Sequence, residues 1–118
     1  MVSKALKDEI NHLHAHVCSG LADPIRILIL YKLNEGAHKV TGLAETLDTP
    51  QSTISRHLKV LRERGMVTSQ REGASVFYSL SDQRVIEALD ILRSIMADNL
   101  KSQAQLAQTA TESYSNPE

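Results

Sequence analysis

Three residues, Asp48-Thr49-Pro50, separate two stretches of helical periodicity and leave room only for a tight turn. Before them, Leu43, Ala44 and Leu47 share one side of a short helix over 42–47, with Thr41 expected as its N-cap. After them, Ile54, Leu58 and Leu61 recur at spacings of four and three until Gly65. Thr49 is the expected N-cap of this second helix and Pro50 its first residue, where a missing N–H costs nothing. The pair reads as a helix-turn-helix over 41–64. In such a motif the second helix has two jobs. One side docks on the domain, and the other enters the major groove, where each base pair shows its own donor and acceptor pattern. Ile54 and Leu58 suit the first job. Gln51, Ser52, Thr53, Ser55, Arg56, His57 and Lys59 suit the second. Gln and Arg offer bidentate contacts to base edges, whereas Ser52, Thr53 and Lys59 suit phosphates, which fix register without reading sequence.

The period then changes. Residues 66–71 and 75–80 are short strand-like runs around Glu72-Gly73-Ala74, and together they read as a hairpin over 66–80. Arg71 and Gly73 at its tip would reach neighbouring phosphates or the minor groove as a wing. Upstream, Val2, Leu6, Ile10, Leu13 and Val17 form one apolar stripe on a first helix over 2–18, which Gly20 is expected to end. Asp23-Pro24 starts a second helix through Leu33. Ser81 or Asp82 starts a long last helix over 82–108, striped by Val85, Leu89, Leu92 and Met96. From Thr109 the residues are small and polar, so 109–118 reads as a disordered tail. The expected fold is mainly α with a small β-hairpin, a winged helix-turn-helix of order α-α-α-α-β-β-α in a single domain over 1–108.

Overall charge, at −1, does not point to a nucleic-acid partner, but its distribution does. Between Thr49 and Ser75, Arg56, Lys59, Arg62, Arg64 and Arg71 face only Glu63 and Glu72. Arg62 and Arg64 read as a solvated helix end complementing the dipole. No apolar run approaches the ~20 residues of a membrane span. The first residues do not resemble a signal peptide, and one cysteine allows no internal disulfide, so the expected location is the cytoplasm with no membrane partner. No nucleophile and acid partner form a set with His57, and no enzyme activity is expected.

Leu21-Ala22-Asp23-Pro24-Ile25-Arg26, the string Gln51-Ser52-Thr53-Ile54-Ser55-Arg56-His57-Leu58-Lys59-Val60-Leu61-Arg62, Gly65-Met66-Val67 and Val76-Phe77-Tyr78-Ser79-Leu80 occur in an order that resembles ArsR/SmtB-type repressors over about residues 20–100. The resemblance implies a winged-helix homodimer pairing through its first and last helices. It also implies a palindromic double-stranded DNA operator and repression relieved by a small ligand, commonly a metal ion. The familiar metal positions are incomplete. Lys39 stands where the resemblance puts a thiolate and Gly42 where it puts a carboxylate. On the last helix Asp82 is kept, but Arg84, Ile95 and Asp98 fall near the remaining positions and no histidine is present.

The first helix carries His12-Leu13-His14-Ala15-His16-Val17-Cys18. His12 and His16, and likewise His14 and Cys18, are four residues apart, a spacing that lets two side chains hold one metal. The plain reading is that the histidines are solvated and Cys18 is a small packing residue near the dimer interface. Metal or redox chemistry at His12, His16 and Cys18 is the alternative, and no effector is identified. The expected function is a sequence-specific DNA-binding repressor that an effector releases; a winged-helix protein-interaction module is the competing one.

Overall fold

The computed structural model describes residues 1–115. Its elements are α1 (Lys4–Leu13), a π-helical turn (His14–Cys18), α2 (Pro24–Leu33), α3 (Val40–Thr46), α4 (Gln51–Glu63), β1 (Val67–Glu72), β2 (Ser75–Leu80) and α5 (Arg84–Ser115). This is the expected order, mainly helical with one antiparallel hairpin. The chain divides into two compact units, residues 1–83 and the remainder.

In the first unit the core is aliphatic. Ile29 and Leu30 of α2, Leu43 of α3, and Ile54, Leu58 and Leu61 of α4 are completely buried, joined by Leu33, Ala44, Met66 and Val67. Complete burial of a Leu or Ile side chain stabilises by about 1.5–3 kcal/mol each. The helix-turn-helix is therefore held by its own apolar stripes. α2 begins as the sequence requires: the Asp23 carboxylate accepts from the Ile25 N–H at 2.8 Å, and Pro24 takes the first helical position.

Two caps differ from expectation. α3 starts at Val40, with Lys39 at the N-cap and Thr41 inside the helix. The reason lies across the sheet: His38 exchanges two backbone hydrogen bonds with Tyr78, at 3.0 and 2.8 Å, and this pins the chain in an extended state just before Lys39. α4 starts at Gln51 with Pro50 as N-cap, one residue later than the sequence suggests. Thr49 is engaged elsewhere, its hydroxyl donating to the Leu47 carbonyl at 2.9 Å and its N–H to the Ala44 carbonyl at 3.0 Å. Asp48 completes the turn at φ +48°, a conformation that Asp tolerates better than most residues.

β1 and β2 pair in register from Val67 with Leu80 to Glu72 with Ser75. The two-residue loop between them places Gly73 at φ +62° and Ala74 at negative φ, the signs of a type II′ turn, so the wing tip needs glycine at that position.

The first helix does not run unbroken to Cys18. It passes into the π turn, whose wider hydrogen bond joins the Ser19 N–H to the His14 carbonyl at 3.0 Å. Gly20 follows and is buried. A Cβ there would meet Met66 Cε at 3.2 Å and the Val17 carbonyl at 3.3 Å, so glycine serves close approach.

α5 begins at Arg84 and continues to Ser115, through most of the segment expected to be a disordered tail. Ala, Gln and Leu between 104 and 108 favour helix. The hydroxyls of Thr109 and Thr111 donate back to the Gln105 and Ala107 carbonyls at 2.9 Å within the helix. Residues 116–118 lie outside the described residues. Along α5, Ile91, Leu92, Ile95, Met96, Leu100 and Leu106 are exposed. No helix among the described residues is long and apolar enough to cross a membrane.

Candidate nucleic-acid interface

α4 is divided along its length. Ile54, Leu58 and Leu61 face the core, while Gln51, Ser52, Ser55, Arg56 and Lys59 are exposed and Thr53 is half-buried. Six of the seven polar residues expected on the outer face of this helix therefore reach solvent. Arg62 and Glu63 continue the exposed face, and Arg62 donates to the Ser69 hydroxyl of β1 at 3.4 Å, linking the helix to the wing. Ser55, Leu58, Lys59, Arg62, Glu63 and Tyr78 line a cleft of about 270 Å³ where α4 meets β2. Arg71 and Gly73 are exposed at the hairpin end.

The seventh residue is a correction. His57 is buried, 7% exposed, and is withdrawn from the outer face. It lies three residues after Ile54 and four before Leu61, which places it on the docking stripe; that spacing was the signal available in the sequence. Its Nδ1 is 3.2 Å from Nη1 of Arg26, and its Nε2 is 3.9 Å from Oδ1 of Asp23. Burial pushes the imidazole pKa below its ordinary value; the Asp23 carboxylate opposes that shift, and the Arg26 and Arg56 guanidiniums add to it.

Arg64 differs too. Its guanidinium is not a solvated helix end but donates to the Ala15 carbonyl and, at 2.6 Å, to the Ser19 hydroxyl. No local pattern signals this contact, because it joins residues that lie far apart in the chain.

The familiar metal positions do not fit an ion. Lys39 caps α3 and sets its ammonium 5.9 Å from the centre of the Phe77 ring, and Gly42 brings no donor. Among the described residues no three His, Cys, Asp or Glu side chains converge on one point. His12, His14, His16 and Cys18 are exposed in the single chain, so Cys18 is not a packing residue within it.

A family model, "Bacterial regulatory protein, arsR family", matches residues 23–69, which span α2 to the start of β1. The biofilm growth-associated repressor of Agrobacterium fabrum is 39% identical over 83 residues, covering 68% of this chain and 71% of the relative. The chain belongs to the ArsR family. Another relative is the HTH-type transcriptional regulator NmtR of Mycobacterium tuberculosis, 43% identical over 76 residues and 64% of this chain. That match spans 63% of NmtR's own length. The solution structure of Mb0332 from Mycobacterium bovis, a homodimeric winged helix-turn-helix DNA-binding domain, superposes on this ArsR-family chain with a TM-score of 0.72 at 25% identity, covering 86% of this chain and 93% of that one. The winged helix-turn-helix is thus the fold of this ArsR-family chain, with α3 and α4 as the motif and the hairpin as the wing.

Proposed function

We propose that this chain is a sequence-specific repressor that binds a palindromic double-stranded DNA operator as a homodimer, works in the cytoplasm and leaves its operator when an effector binds. The observation that carries the reading is the division of α4: a buried aliphatic face opposite Gln51, Ser52, Ser55, Arg56 and Lys59, all exposed. A helix held rigidly by one face with amide, hydroxyl and guanidinium donors on the other meets the requirements of major-groove reading. Gln51 and Arg56 take the base edges, and Ser52, Thr53, Ser55 and Lys59 hold phosphates. Arg71 and Gly73 bring the wing to the flanking backbone.

Pairing of two copies is supported by uncovered apolar stripes. Leu6, Ile10 and Leu13 on α1 are exposed, as are Ile91, Leu92, Ile95, Met96 and Leu100 on α5. Exposed apolar surface of this kind marks an interaction site, and the homodimeric Mb0332 fragment supports the same assignment. A two-fold dimer spaces its two α4 helices about one DNA turn apart, ~34–36 Å, and so selects half-sites at that separation.

The test is a fluorescence anisotropy titration of the chain on DNA from upstream of its own coding region, against scrambled DNA. The expected result is a preference for the upstream DNA of about 10³-fold or more, with affinity falling steeply between about 50 and 200 mM salt. A folded dimer with equal affinity for both DNAs would reject the reading in favour of a protein-docking winged helix.

A further inference from the structure

His12 and His16 straddle the junction of α1 and the π turn, with ring centres 4.2 Å apart and planes 35° from parallel. Both are exposed. On α1 itself His12 lies about 120° round from Leu6 and about 100° round from Leu13 at 100° per residue, off the Leu6–Ile10–Leu13 stripe. Metal–imidazole bonds of about 2.0–2.1 Å require donor nitrogens roughly 3 Å apart. The ring centres, 4.2 Å apart, put the two imidazoles side by side at the four-residue spacing that lets two side chains hold one ion.

The segment between the pair is mechanically linked to α4. The π turn carries its Ser19-to-His14 hydrogen bond at 3.0 Å, and Arg64, the C-cap of α4, donates to the Ala15 carbonyl inside that turn and to the Ser19 hydroxyl at its end. A π turn holds one more residue per hydrogen-bonded ring than an α turn. An ion held by both His12 and His16 would fix their separation across the start of this turn, which Arg64 joins to the end of α4.

We propose that His12 and His16 form a two-nitrogen site for a divalent transition ion of the imidazole-preferring group (nickel, copper or zinc), water completing the coordination, and that occupancy changes the placement of α4 through Arg64. The output of this device rests on the DNA-binding reading above; the site does not. Calorimetric titration of the DNA-free protein with Ni²⁺ tests the site. Binding that weakens by about tenfold or more in both His12→Gln and His16→Gln, and persists in Cys18→Ser, supports it. Equal Ni²⁺ affinity in wild type and the His variants, or loss of binding in Cys18→Ser, overturns it. Circular dichroism shows whether each variant is folded.

The link is tested by amide hydrogen exchange with and without Ni²⁺, again free of DNA. Protection is expected to change at residues 13–20 and at the end of α4 in wild type, and only at 13–20 in Arg64→Gln. No change at the end of α4 in wild type overturns the link. On the upstream DNA, a shift of operator affinity within the ~5–150-fold range typical of coupled sites is expected for wild type, and a smaller one for Arg64→Gln. Failure of the protein to bind DNA at all would refute the repressor reading and leave the calorimetric and exchange results to decide the site and its link.

Discussion

Nδ1 of His57, on the buried side of α4, lies 3.2 Å from Nη1 of Arg26 on α2. A guanidinium has donors and no acceptor, so Nδ1 accepts and the neutral ring carries its proton on Nε2, toward the Asp23 carboxylate 3.9 Å away. Arg26 also donates to the Gly20 carbonyl at 2.8 Å and the Ser19 carbonyl at 3.3 Å. One side chain therefore ties α2 to α4 and to the backbone that follows the π turn.

This arrangement makes stability depend on pH. His57 has a folded pKa lowered from 6.5, with burial as the leading cause. Folding thus favours the neutral ring. Above about pH 6.5 both folded and unfolded chains are neutral at this position and the contribution is complete; as pH falls below that, the unfolded chain takes the proton first and stability is lost. Urea midpoints measured from about pH 7.5 down to 5.5 should fall more steeply for wild type than for His57→Gln. Parallel curves would remove His57 as the cause.

Arg26→Lys keeps the charge and loses the fork. An ammonium cannot serve the Gly20 carbonyl, the Ser19 carbonyl and His57 from one planar group. The expected cost is about 1–3 kcal/mol, the range for leaving buried polar groups without a partner. A urea midpoint equal to that of wild type would show that the three contacts are dispensable.

The two faces of α4 should separate stability from DNA affinity. Leu58 is fully buried, so Leu58→Ala is expected to cost about 2–5 kcal/mol of folding stability. Arg56 is exposed, and Arg56→Ala should leave stability within about 0.5 kcal/mol while removing about 1–3 kcal/mol of discrimination at one base pair of the operator. Lys59→Ala, at a phosphate position, should weaken all DNAs alike and lower the salt slope by about one ion. Thermal melts and anisotropy on matched and mutated operators read these effects. An Arg56→Ala protein with unaltered base preference would displace Arg56 from the base-reading role.

Most of the fold was legible because local signals agreed with one another. Asp23-Pro24, the aliphatic spacing of Ile54, Leu58 and Leu61, and glycine at the hairpin each specify a structure from within a few residues. The errors arose where a distant partner decided the outcome. The pairing of His38 with Tyr78 moved the start of α3, and no window around Thr41 contains that information. His57 was legible by spacing but was read by residue type, since a polar ring beside Arg56 suggests an outward face. Arg64 was not legible at all, because its partners Ala15 and Ser19 are brought to it only by the tertiary fold. Over 109–115 the small polar residues carry little local preference, and there α5 continues the helix set up by the Ala, Gln and Leu before them.

The apolar stripe of α1 carries the last prediction. Ile10 is half exposed, at 50%, between Leu6 and Leu13, which are similarly open. In a single chain this face gains nothing from being apolar, and a charge there would cost the monomer little. In a dimer paired through α1 as proposed, the position would lie in the middle of the covered stripe, where an unpaired carboxylate would lose its hydration without gaining a partner. Ile10→Asp should therefore leave the circular dichroism spectrum of the monomer unchanged while weakening self-association by about 2–5 kcal/mol, as measured by sedimentation equilibrium, when both the lost burial and the stranded charge count against the dimer. Operator affinity should fall with it, because two half-sites are then met by independent chains and the gain from linkage disappears. Lys101→Asp, on the late part of α5 and outside the apolar stripes, is the control for a charge change elsewhere, one unit larger than that of Ile10→Asp. A dimer equally strong in Ile10→Asp would mean that α1 is not part of the interface.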